Sequence, residues 1–271
     1  MIHYTEYART LLLGTTLEDK LLHPKDIELS ENLAEFVLPN QPGRSDRIAF
    51  KNEQVKFPKG NFEQESKRGL ALHFFANHEL LAIEMMAAAL LVYPDHTPEM
   101  LQFKKGLLKT IQDEQKHFKL YIQRMKDFGI EFGEFPLNDF FWRAMQNCKT
   151  PTHFYSAMAL TFESANLDFA KYYEKLFLSV EDEQTAKIMN IVYEDEISHV
   201  ALGARWLNQW RADKDLWTYY MTNLPGAMTP ARAKGNHFDR ESRARAGLDD
   251  EFISALFGYQ DEFKITNRRK K

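Results

Sequence analysis

Apolar and polar positions along the chain separate into long helical stretches flanked by broken ones. From about residue 63 to 93 there is no proline and a single glycine, Gly69. The run LALHFFANHELLAIEMMAAALLVY (70–93) is apolar nearly all round, the pattern of a buried helix. Pro94 ends it, and DHTPEM supplies a turn with Thr97 as N-cap and Pro98 at the first helical position. A second long helix is predicted over about 98–128, stopping at Gly129. An irregular stretch with Gly133 and Pro136 follows, with a short helix expected around LNDFFWRAMQNC. Thr150-Pro151 opens a third long helix to about 179, and the acidic break SVEDEQ leads into a fourth, about 183–211. No sustained period-two alternation supports strands. Two helical hairpins joined by a crossover near 129–150 predict an all-α, antiparallel four-helix bundle over 61–212.

The flanks read differently. Residues 1–60 are broken by Pro24, Pro39, Pro42, Gly43, Pro58 and Gly60, and predict short helices and loop, with TTLEDKLL (15–22) a capped helix start. Residues 213–271 predict shorter packing helices, the last near LDDEFISALFGYQDEF. The expectation is one domain: the bundle with helical N- and C-terminal extensions.

Composition narrows the class of protein. With 271 residues and 44% hydrophobic content the chain can bury a sizeable core, and a net charge of −4 gives no overall pull toward nucleic acid or anionic membrane. Basic residues gather in ARAKGNHFDRESRARAG (231–247) and in the terminal RRKK. These read as a solvated face and a frayed end, with a phosphate-binding patch as the alternative. Cys148 is the only cysteine, so no internal disulfide forms and a reducing cytoplasm is the expected compartment. The N-terminus has no basic leader, and its LLL is too short for a signal-peptide core. The most apolar window, LLAIEMMAAALLVYP (80–94), falls short of a membrane span and contains Glu84, so a soluble protein with no membrane partner is expected.

Ionisable residues placed inside apolar faces carry the chemistry. DEQKH (113–117) and DEISH (195–199) share the frame Asp-Glu-x-x-His. Chance supplies such matches readily in an acidic chain with 9 histidines, so position must decide. The second helix has the face Leu107, Ile111, Glu114, His117, Phe118, Tyr121, and the fourth has Met189, Val192, Glu196, His199, Gly203, Trp206. The first helix sets Glu79 among Leu72, Phe75, Ile83 and Met86, and the third sets Glu163 among Ala159, Leu160, Leu167 and Ala170. Glu79 and Glu163 lie 84 positions apart, Glu114 and Glu196 82 apart, so each hairpin has the order Glu, turn, Glu-x-x-His.

A buried carboxylate is costly unless it is paired or bound to a metal. One Glu from each of two helices plus a Glu-x-x-His from each of the other two is the ligand set of dinuclear carboxylate bundles. Four carboxylates cancel the charge of two divalent ions. Glu114 and Glu196 are expected to bridge, while each imidazole caps one ion. Oxygen and imidazole ligands without thiolate suit iron or manganese better than structural zinc. Glu84 is the alternative first-helix ligand. It lies five residues, about 140°, around the helix from Glu79, and the hairpin repeat favours Glu79. Asp113 and Asp195 read either as solvated charges or as outer carboxylates, Asp113 holding His199 and Asp195 holding His117. His73, His78 and Glu194 read as structural or surface residues, and Tyr121, Tyr155 and Tyr193 as core aromatics on the ligand helices.

In NHELLAIEMMAAALLVYPD, DEQKHFKLYIQRM, TFESANLDFA and DEISHVALGARWL the chain resembles the ferritin-like superfamily. It resembles more closely the bacterial family called domain of unknown function 455, with TLEDKLL, PGR and TPARAKGNHFDRESRARAGLDDEFI extending the likeness over nearly the whole chain. The resemblance implies a ferritin-like bundle with a dinuclear, di-iron centre, and it implies no particular reaction. The stretch Glu79 to Pro94 is also similar to the first ligand helix of the tRNA-modifying di-iron hydroxylase, with Glu79 at the ligand position.

The leading expectation is a non-haem di-iron, or Mn/Fe, oxidoreductase activating O2 on an organic substrate. Electrons would come from an external reductase, since no flavin or nicotinamide fingerprint is present. A ferroxidase or metal-handling protein is the alternative, although about 60 extra residues at each end disfavour a ferritin cage. A metal-stabilised, non-catalytic scaffold is the third reading, and a homodimer is one admissible assembly.

Overall fold

A computed structural model describes residues 1–30, 34–53, 55–93 and 97–261. The described residues are predominantly helical. In chain order they form β1 (Ile2–His3), α1 (Tyr4–Leu13), α2 (Leu17–Lys20), β2 (Ile27–Glu28), α3 (Glu65–Val92), α4 (Pro98–Asp127) and α5 (Phe140–Met145). There follow α6 (Pro151–Ala157), a π-helical segment (Met158–Glu163), α7 (Ser164–Ser179), α8 (Glu183–Trp210), α9 (Leu216–Thr222), a 3-10 turn (Pro230–Ala233), α10 (Arg240–Arg245) and α11 (Asp250–Gly258). The expected turn at 94–96, the far end of the last expected helix and the basic tail lie outside the described residues.

The chain divides into two compact units, residues 1–151 with 173–192, and 152–172 with 193–271. The dividing points fall inside α6, α7 and α8 rather than at the changes of composition near residues 60 and 212.

In the first unit α3 and α4 pack along one another, with α1 and α5 against α3. α3 has no polar face to leave in water, and from Leu80 to Leu91 every residue is buried, Glu84 included. It is long and apolar enough to cross a membrane, but 83% of its apolar window is buried in the protein. α4 is amphipathic, buries Phe103, Leu107, Ile111, Phe118, Tyr121 and Met125, and starts with Thr97 accepting from Met100 N. The N-terminal segment is tied down by polar links. Trp142 Nε1 donates to Asn40 O at 2.7 Å, and Gln115 Nε2 donates to Lys20 O and Leu22 O, each at 3.0 Å. β1 and β2 pair in parallel, Ile2 opposite Ile27 and His3 opposite Glu28, a pairing too short to leave an alternating pattern.

In the second unit α6, the π-helical segment and the first half of α7 are covered by later elements through a buried ion pair. Arg243 donates to both oxygens of Asp168, at 2.7 and 3.0 Å, and to the carbonyls of Ser164 and Ala233. Asp168 also accepts from Gly235 N and Asp239 N. Lys234 Nζ donates to the carbonyls of Leu256, Phe257 and Tyr259 at the end of α11. The basic stretch 231–247 is a solvated face only in part, with Arg232, Arg240 and Arg245 exposed. Arg243 is 0% exposed, Lys234 caps a helix, and Arg245 pairs with Glu194. The Arg243 charge is held inside the fold by Asp168, a partner far away in sequence.

Candidate functional site

In the first unit, α3 supplies Glu79 and α4 supplies Glu114 and His117, which share a face because they are three residues apart. All three are buried, and each offers a ligand atom within 4.8 Å of the others. His117 Nδ1 lies 3.5 Å from Glu79 Oε2 and 3.8 Å from Glu114 Oε2. Burial and the neighbouring charge of Glu114 push the Glu79 carboxyl well above the usual carboxylate range, against the pull of His117. Two carboxylates held this close out of water repel, and a bound cation would relieve that repulsion.

The second unit holds the matching set. Glu163 closes the π-helical segment, and α8 supplies Glu196 and His199. These three are also buried, with ligand atoms within 4.8 Å of one another. His199 Nδ1 is 3.5 Å from Glu196 Oε2, and Asn166 Nδ2 donates to Glu196 Oε1 at 3.1 Å. Tyr155 is buried beside this set. Loss of solvent and the charge of Glu163 hold its phenol well above its ordinary pKa, opposed by Arg205.

The third helix reaches Glu163 through a local change of winding. Wider π-helical turns occur mostly as single insertions in α-helices, often at functional sites. Thr161 Oγ1 donates to Ser156 O, five residues back, at 2.7 Å and stands 2.8 Å from the Tyr220 hydroxyl. Ala159 lies against Gly203 of α8, where a Cβ would come within 2.2 Å of the Ala159 Cβ. The expected uniform α-helix over 151–179 did not include this segment. Nothing in MALTFE breaks a helix, and the bracing partners Tyr220 and Gly203 are remote in sequence.

Glu84 belongs to a separate buried ion cluster in the first unit. Arg44 donates to it from Nε at 3.0 Å and Nη2 at 2.7 Å, and Lys20 Nζ is 3.1 Å away. Both of its oxygens thus face cations, and it is not grouped with Glu79, Glu114 and His117. Composition and helical periodicity do not reveal Lys20 and Arg44 as its partners, because they come from the broken N-terminal segment. Asp113 is 27% exposed and 4.0 Å from Lys116, and Asp195 is half-buried. His73 accepts from Gly133 N, His78 stacks on Phe141, Tyr121 donates to Met189 Sδ, and Tyr193 donates to Asp239.

Each trio is a buried set of carboxylate and imidazole donors able to hold a metal ion, with no thiolate among them. No solved structure matches the chain. An uncharacterized protein of Haemophilus influenzae is 28% identical over 156 residues, which cover 55% of this chain and 54% of that protein, so the match spans about half of each. Residues 8–254 match the family described as "Protein of unknown function (DUF455)", and the chain belongs to that family.

Proposed function

We propose that the two trios are halves of one dinuclear centre in a ferritin-like four-helix bundle. On this reading the protein is a non-haem di-iron, or Mn/Fe, oxidoreductase that activates O2 to hydroxylate or oxidise an organic substrate. The observation that carries it is the repeat: the same Glu plus Glu-x-x-His, buried in both units, on helices in the same chain order.

The donor chemistry fits. Glu79, Glu114 and His117 would hold one ion, and Glu163, Glu196 and His199 the other. An iron pair, when bound there, would supply electrons for the reduction of O2, with an external reductase to replenish them. The chain's own residues supply binding and seclusion. The carboxylates would balance the metal charge, and the burial of the glutamates and histidines of each trio keeps them from water. On this reading Asp113 and Asp195 would take the outer role of holding His199 and His117.

Metal analysis of protein purified from its native host, followed by aerobic single turnover of the iron-loaded protein, tests the reading. Two iron ions per chain and an absorbance change on mixing with O2 are expected. A protein that stays colourless and inert with iron and O2 sinks it. A ferroxidase would oxidise iron without turning over an organic substrate. A scaffold would lose melting temperature in Glu114→Ala with no change in activity.

A further inference from the structure

Two buried glutamates in this chain are held by partners of opposite kind. Glu84 is gripped by two cations, and its charge is spent on them. Glu196 is held by the neutral amide of Asn166, which donates to Oε1 at 3.1 Å while Oε2 faces His199 Nδ1 at 3.5 Å. A neutral donor restrains a carboxylate without cancelling its charge, because each carboxylate oxygen can accept more than one partner. Asn166 is also three residues beyond Glu163, on the same face of its helix. One short stretch thus contributes a donor atom for a cation and the clamp for a second donor on α8.

We infer that Asn166 is a positioning residue of the metal site, fixing the Glu196 carboxylate with one oxygen toward His199. The inference rests on the metal-binding part of the proposed function and is independent of the reaction. Rotation of a free glutamate side chain must be frozen when an ion binds, whereas the amide of Asn166 freezes it beforehand. Outer partners of this kind typically alter metal affinity by about 10–100-fold.

The test is titration of the metal-free full chain with Co2+, followed by visible absorption, on the wild type, Asn166→Leu and Asn166→Gln. Melting of each metal-free protein is recorded alongside. Leu has nearly the same bulk and no donor, and it should weaken Co2+ binding by about 10–100-fold and change the absorption bands. Gln retains the amide and should recover part of both. Wild-type affinity and spectrum in Asn166→Leu overturn the positioning role while leaving the metal site standing. A fall in melting temperature alone, with binding unchanged, identifies Asn166 as structural and overturns it too. A wild type that takes up no Co2+ overturns the metal site itself, and the inference with it.

Discussion

At the scale of single residues, Glu79 and Glu84 separate two ways of burying a carboxylate. They lie on one helix five positions apart, both nearly free of solvent. Glu84 faces Lys20 and Arg44, and removing it would strand two buried cations. Glu84→Ala should therefore cost about 3–5 kcal/mol in denaturant unfolding. Its metal affinity per folded molecule should match the wild type. Glu79 instead stands against another carboxylate, which favours its neutral form. A carboxyl whose folded pKa is raised contributes stability below its ordinary pKa and loses it as pH rises through the folded value. Glu79→Gln should thus make the metal-free protein more stable at neutral pH by about 0.5–2 kcal/mol, with the gain vanishing in acid and metal affinity falling. Unfolding of chelator-treated protein at acid and neutral pH measures it. The preference for Glu79 over Glu84 was legible in the sequence because it follows from helical angle and the repeated order. The partners of Glu84 were not, since nothing in the local pattern around 20 or 44 points to position 84.

At the scale of elements, the long helices were largely legible. The expected spans of about 63–93, 98–128 and 183–211 stand beside α3 (Glu65–Val92), α4 (Pro98–Asp127) and α8 (Glu183–Trp210). Long periodic or wholly apolar runs bounded by proline, glycine and N-caps leave the backbone few alternatives. The π-helical segment was not legible. It is a change of register inside a run of good helix formers, decided by what Thr161 and Ala159 meet. Gly203→Ala tests this. The new Cβ would fall 2.2 Å from that of Ala159, a rigid neighbour, so the two helices must part. A loss of about 1–3 kcal/mol and weaker Co2+ binding are expected, because His199 lies one turn from Gly203. Adding Ala159→Gly should restore binding by returning the space. Unfolding curves and metal titration of the single and double variants decide it.

At the scale of the whole molecule, a buried acidic set able to take metal links ligand binding to stability. Metal at 100 times its dissociation constant should stabilise the folded protein by about 2.7 kcal/mol. Calorimetry before and after exhaustive chelation, then after metal is returned, should show a reversible fall in melting temperature, and an unchanged melting temperature speaks against a resident ion. The sequence by itself determined the predominantly helical character and the limits of the long helices, and it picked out the two Glu-x-x-His pairs with their companion glutamates. These follow from side-chain period, capping and the cost of burying charge, all of which act over a few turns. Only the tertiary structure decided which cation pairs with which acid. It set Glu84 apart with Lys20 and Arg44, drew Arg243 of the basic stretch inward onto Asp168, and placed Asn166 on Glu196. Those choices depend on distances between residues far apart in the chain, which helical period and local propensity do not encode.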